Sequence, residues 1–277
     1  MTTLFRLFSH LPLWLLHGLG WILGWVSYLG SAAYRQRFSE NVAFAGVSVK
    51  DKRRAVGEAG KMIAELPRLW MGEPVTVHWA GAQHVEAALA NGKGVVFLTP
   101  HMGCFEITGQ AYAARFGVKG HPVTALFRPP RKAWLHSVVN AARTRPGLDS
   151  APTTLAGVKQ LFKALKNGHC VGLLPDQVPP QGMGVWAPFF GQPAYTMVLS
   201  ARLAIQSGAT VMLVWGERLS WGRGYVMHAE PMPVQLSRDI TQAVVQINRA
   251  MEHLILQKPS QYLWGYARYK NPRSDDL

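Results

Sequence analysis

Residues 94–106, GVVFLTPHMGCFE, decide how this chain is read. Val95 to Leu98 form a short unbroken apolar run between a glycine and a proline, the pattern of a strand buried on both faces. The chain then leaves on a brief Gly-containing turn, and residues 105–116 (FEITGQAYAARF) resume at helical spacing. A strand–turn–helix unit puts His101 at the carboxyl end of the strand and Glu106 in the first turn of the helix. In open α/β sheets, ligands gather at that edge. The spacing lets the Glu106 carboxylate reach back to the His101 ring. A carboxylate that accepts one ring N–H fixes the tautomer and raises the basicity of the other nitrogen. Such a pair takes a proton from a substrate hydroxyl, as His and Asp do in the serine triad. Backbone N–H groups near Gly103, at the helix start, suit a developing oxyanion.

Outward from this unit the pattern alternates. Residues 49–70 read as a helix as far as Pro67, and 82–91 as a short amphipathic helix. Further strands are expected at 121–127, 169–175, 209–218 and 224–230, and helices at 131–145, 154–167, 196–207 and 238–257. Strands alternating with helices imply an α/β fold, a central mostly parallel sheet flanked by helices. No repeat, low-complexity stretch or Pro/Gly linker divides the body.

The chain has 277 residues, 48% hydrophobic and only 16% charged, with a net charge of +14. That composition excludes a disordered chain, and two cysteines exclude a disulfide-built mini-domain. A basic surface calls for an anionic partner. Ten tryptophans favour an anionic membrane over nucleic acid, for which no recognisable module is present. From Leu7 to Tyr34 there is no Asp, Glu, Lys or Arg. As a helix those residues would reach about 42 Å, against a hydrocarbon core of about 30 Å. Two histidines and the glycines at 18, 20, 24 and 30 weaken a span, and Trp14, Trp21 and Trp25 also suit a helix lying in the interface. Residues 1–34 are expected to be a membrane anchor and 35–277 the catalytic domain. The basic cluster Lys50, Lys52, Arg53, Arg54 would then meet anionic headgroups on the cytoplasmic side.

The HMGCFE segment resembles the His-x4-Asp/Glu motif of glycerolipid acyltransferases, and more closely that of the lipid A secondary (late) acyltransferases, where it often reads His-x-Gly-x-x-Glu. Residues 173–196 (LLPDQVPPQGMGVWAPFFGQPAYT) resemble the Pro-Asp-Gln and Pro-Phe-Phe-Gly segments of that branch. Residues 261–273 (QYLWGYARYKNPR) resemble its Gln-Tyr-x-Trp-x-x-x-Arg-Phe-Lys ending, with Tyr269 where Phe is usual. The resemblance covers nearly the whole chain. It implies a single glycerolipid-acyltransferase-like domain at the inner membrane, facing the cytoplasm. It also implies transfer of a fatty acyl chain from acyl carrier protein to a hydroxyl of a lipid A precursor. His101 would be the general base, Glu106 its orienting partner and Gly103 an oxyanion donor. No cofactor or metal is expected.

Other residues suit a phosphorylated acceptor and an anionic donor. Arg128 ends the second strand of the pattern. Arg143 and Arg145 follow, one of them resembling an arginine of the branch, and both stay open. Guanidinium forks suit phosphate. Asp176 and Gln177 end the next strand at the same sheet edge. Cys104 admits a covalent acyl-cysteine as well as a plain packing role. Trp215, Trp221, Arg218 and Arg223 suit either headgroup contact or a hairpin surface. Two other functions fit the same residues: a lysophospholipid or other glycolipid acyltransferase using acyl-CoA or acyl carrier protein, and a non-catalytic basic membrane-binding protein.

Overall fold

The structure is a computed structural model and describes residues 2–127, Val139 and 145–274. Its strands are β1 (Val77–Ala80), β2 (Val95–Leu98), β3 (Val123–Phe127), β4 (Leu148–Pro152), β5 (Cys170–Leu173), β6 (Gly184–Phe189), β7 (Gln192–Met197), β8 (Thr210–Arg218) and β9 (Tyr225–Pro231). Seven of them form one sheet in the order β1-β9-β8-β2-β5-β3-β4, and β6 and β7 form a separate antiparallel hairpin. Every pairing in the large sheet is parallel except β8 with β9. The mixed α/β class and the mostly parallel sheet expected from the sequence are therefore found.

Helices cover both faces, because β2 and β5 at the sheet centre carry apolar residues on both sides. Leu98, Leu173 and Leu213 point into one core, built with α8 (Leu155–Lys166), α9 (Leu199–Ser207) and α10 (Ile240–Gln257). Val95, Phe97, Met212 and Met227 point into the other, built with α6 (Ala82–Ala90) and α7 (Phe105–Arg115). Helix starts follow capping chemistry. Thr154 Oγ1 accepts from Gly157 N at 3.4 Å to open α8, and Asp239 Oδ1 accepts from Gln242 N at 2.8 Å to open α10.

The N-terminal region folds as α1 (Thr2–Ser9), α2 (Leu13–Gly30) and α3 (Ala32–Phe44), so the expected boundary after Tyr34 falls inside a helix. The long helix expected up to Pro67 is broken into α4 (Val49–Ala64) and α5 (Leu66–Met71), with Pro67 in the first turn of the second, where its missing N–H costs nothing. By length and composition α2 is long and apolar enough to cross a membrane, and 28% of it is buried in the protein. Its buried face, Leu13, Leu16, His17, Gly20 and Gly24, rests on the body of the chain. Here glycine has a packing reason: a Cβ on Gly24 would lie 2.2 Å from the Val56 carbonyl, and one on Gly60 only 2.0 Å from that of Gly20. The opposite face, with Trp14, Ile22, Leu23, Val26 and Leu29, is exposed.

Candidate active site

The turn after β2 is held by backbone bonds to distant segments. The Gly103 N–H donates to the Gln261 carbonyl and the Cys104 N–H to the Gly216 carbonyl, both at 2.8 Å, and Leu263 N donates to the His101 carbonyl at 3.1 Å. Gly103 adopts φ +56°, and a Cβ there would lie 2.0 Å from the Gly216 oxygen. Only glycine fits, both by conformation and by space.

His101 is fixed at two atoms by one carboxylate. Asp176 Oδ2 accepts from the His101 backbone N–H at 2.9 Å, and Asp176 Oδ1 lies 2.7 Å from Nδ1. Asp176 is 2% exposed. Burial alone would push its carboxyl up, but the His101 imidazole, the bonds it makes to His101 and the charge of Arg268 outweigh burial and hold it below the usual carboxylate range. An anionic Asp176 makes Nδ1 the N–H-bearing nitrogen and leaves Nε2 as the basic one. Burial and then the charge of Asp176 push the Tyr262 hydroxyl well above its usual range. Arg268, 2% exposed, donates from Nη1 to the Tyr195 carbonyl at 2.8 Å and from Nη2 to Thr196 Oγ1.

The roles of the two carboxylates thus differ from the sequence expectation. Asp176, expected on the substrate side, sits on the ring nitrogen. Glu106, expected there, lines the same cavity as His101 from the first turn of α7, and its Oε2 accepts from Trp70 Nε1 at 3.1 Å. The oxyanion role expected of Gly103 meets an N–H already committed to Gln261. Gln177 lines the cavity next to Asp176. Arg145 is half-buried, with Nη2 donating to the Leu69 carbonyl at 2.9 Å, and it is not part of the described cavity wall. Arg128 and Arg143 lie outside the described residues.

The cavity measures about 630 Å³. Between the sheet and α6 and α7 it is walled by Trp79, Val85, Phe97, Tyr112, Val214 and Met227. Leu155, Val158, Met183 and Leu199 also line it. Its wall is mostly apolar, and His101, Glu106 and Gln177 are among its polar members.

Both cysteines are buried. Burial and then the charge of Glu65 push the Cys104 thiol well above its usual range, which removes the acyl-cysteine option. Cys170 is also buried and is pushed up to about 11. No group of three potential metal ligands occurs among the described residues. Trp215 and Arg218, which the sequence left open as headgroup contacts, are both 3% exposed, whereas Trp221 is 85% exposed. Sequence reasoning missed Tyr262, Arg218 and Glu65 as parts of this region; Tyr262 carried a signal, since it lies in the 261–273 segment quoted above.

The fold and this site define an α/β protein that holds a carboxylate-backed imidazole at an apolar, chain-sized cavity. Residues 14–271 match the family described as bacterial lipid A biosynthesis acyltransferase, and the chain belongs to that family. It is 25% identical to a lipid A biosynthesis acyltransferase of Haemophilus influenzae over 66% of this chain and 56% of that protein. It is 26% identical to the lipid A biosynthesis palmitoleoyltransferase of Escherichia coli K12 over 83% of this chain and 76% of the relative. A phosphatidylinositol mannoside acyltransferase of Mycobacterium tuberculosis is 29% identical over 51% of this chain and 45% of its own length. The chain therefore spans little more than half of the Haemophilus relative.

Proposed function

We propose that this protein transfers a fatty acyl chain from an acyl thioester to a hydroxyl of a lipid A precursor, with His101 as general base. The observation that carries this reading is the 2.7 Å contact between His101 Nδ1 and a buried Asp176 at the wall of an apolar cavity. Nε2 takes the proton of the acceptor hydroxyl as its oxygen attacks the thioester carbonyl. The tetrahedral oxyanion collapses, the C–S bond breaks, and the leaving thiolate takes the proton back from the imidazolium. Asp176 holds the ring and stabilises its charged form. Glu106, in the same wall, adds a negative field that favours the imidazolium. With the Gly103 N–H engaged elsewhere, the Gln177 side-chain amide, which has no hydrogen-bond partner among the described residues, is the donor for the oxyanion.

Acyl carrier protein is the donor in this reading, since an acidic carrier suits a chain of charge +14. The exposed face of α2 enters the inner membrane from the cytoplasmic side. The close contacts of Gly20 with Lys61 and of Gly24 with Val56 run the two helices antiparallel, so the basic start of α4 lies near the end of α2, where it meets anionic headgroups. The similarity to a phosphatidylinositol mannoside acyltransferase favours a second acceptor, another phosphorylated glycolipid. Mass spectrometry of membrane lipids from cells with the protein and with H101A separates these. A lipid A-type species heavier by one acyl group only with the unmodified protein supports the first acceptor. The same gain on another glycolipid replaces it, and no gain on any lipid removes the reading.

A further inference from the structure

A buried chain of polar groups joins the turn carrying His101 to the apolar N-terminal helix. Arg218 closes β8 and is 3% exposed. Its Nη2 donates to the Gly103 carbonyl at 2.8 Å and to Glu65 Oε1 at 2.6 Å, while Nε donates to Glu65 Oε2 and Nη1 to Glu58 Oε2, both at 2.7 Å. The Arg218 backbone is clamped by Gln261, whose side chain accepts from its N–H and donates to its carbonyl at 2.9 Å each. Glu65, fully buried between α4 and α5, also takes the Tyr225 hydroxyl at 2.9 Å and His17 Nε2 at 3.1 Å. His17 lies on the seated face of α2, and among the described residues its Nδ1 has no hydrogen-bond partner.

None of His17, Glu65, Arg218 or Tyr225 belongs to the described cavity wall. The cluster is therefore outside the reacting region yet bonded to its backbone. Burying charges is costly, and an apolar core of the same volume often serves stability as well. What this cluster supplies and an apolar one would not is direction. A guanidinium with fixed forks sets the position of the Gly103 carbonyl relative to Glu65, and Glu65 is in turn set by what α2 brings against it.

On the acyl-transfer reading above, we propose that Arg218 is a positioning residue for the reaction, and that the chain His17–Glu65–Arg218–Gly103 makes the seating of α2 a condition for the catalytic geometry of the turn. The exposed apolar face of α2 is the part of the chain that meets lipid, so this chain ties turnover to the helix that sits in the membrane. A small displacement of the turn moves Nε2 off the acceptor hydroxyl and is read in kcat more than in substrate affinity.

The test uses full-length protein in mixed micelles, with 13C-labelled histidine and the His101 Cε1 resonance assigned by its loss in H101A. H17L removes the donor to Glu65 while keeping an apolar helix face. H17Q restores an N–H near the position of Nε2. R218K keeps the charge and loses the forks. The expected result is a shifted His101 resonance in H17L and R218K, kcat lowered about tenfold or more with both KM values within about twofold, and recovery of most of the loss in H17Q. Folded H17L and R218K proteins with the His101 resonance at its original position overturn the coupling. A shifted resonance in a protein that transfers no acyl chain upholds the coupling and refutes the acyl-transfer reading instead.

Discussion

Asp176 grips His101 at both ends, taking the backbone N–H at 2.9 Å and the ring Nδ1 at 2.7 Å, so one carboxylate sets the position of the residue and the rotation and tautomer of its ring. A single bond to the ring would leave the imidazole free to swing with its backbone. The pair of hydrogen bonds to one buried side chain removes that freedom.

D176N is the first consequence. An amide keeps the shape but cannot stabilise an imidazolium, and its NH2 group can leave the ring in the wrong tautomer. Turnover should fall by about 10³-fold, within the usual range for losing general-base support, with KM little changed. H101A should fall at least as far, and the double variant no further than H101A, because the two act as a unit. Initial rates of the three proteins decide it; a double variant much slower than H101A would place Asp176 in a separate role.

Acid should unfold the protein partly through Glu65. Burial pushes this carboxyl up, but the Arg218 and His17 interactions win and bring it to about 2. A folded value below the unfolded one, about 4.3, stabilises the fold above the unfolded value and loses that contribution as pH falls towards the folded one. The window therefore runs from the unfolded value, about 4.3, down to about 2. Glu65 is faced by Arg218, His17 and Tyr225, with Glu58 on the far side of the guanidinium. Chemical denaturation across that window should show a decline that E65Q lacks, the variant being less stable at neutral pH. Parallel curves for the two proteins would mean the carboxylate contributes nothing.

The sheet centre was legible in the sequence because β2, β5 and β8 are buried on both faces and read as unbroken apolar runs between glycines and prolines. The edges were not. β1 (VHWA) alternates over only four residues, and β4 (LDSAP) holds an aspartate and a proline that belong to a turn in any local reading. The hairpin of β6 and β7 is defined by its own pairing and by α10, where Asn248 Nδ2 donates to the Pro188 carbonyl at 2.9 Å; its last residues were read as the start of the next helix. In the site, the residue types were visible and the partnership was not. Glu106 was favoured for the ring by nearness in sequence, while Asp176 reaches it from 75 positions away because β5 is the hydrogen-bonded neighbour of β2. Arg218 gave no local sign of burial, since its counter-ions come from α4 (Glu58) and from the residue joining α4 to α5 (Glu65).

Gln177 should behave as an oxyanion donor. Q177A removes the amide and should lower kcat by about 10²-fold, the usual effect of losing one such donor. Q177E places a negative charge against the developing one and should be slower still, with the folded protein otherwise unaltered. Acyl-transfer rates at saturating donor and acceptor test the ranking; a Q177A protein at full rate would require another donor.

Acyl-chain selection should respond to Gly172 in β5. The strand register places it beside Phe97 and Ala125, on the side of the sheet that faces α7, and it lines the cavity. A Cβ built there meets only Val123 Cγ2, at 4.0 Å, so a larger side chain has room to extend and fills space now available to ligand. G172L should therefore keep its fold and shorten the preferred chain, because methylenes pushed out of the cavity each forfeit about 0.8 kcal/mol of burial. Two lost methylenes then amount to about 1.6 kcal/mol, a preference shift of about 15-fold. Competition between acyl thioesters differing by two carbons measures this directly. The ratio should move towards the shorter chain in G172L and stay unchanged in V118S, a substitution at an exposed residue outside the cavity wall. An unaltered ratio in G172L would show that the acyl chain takes another course.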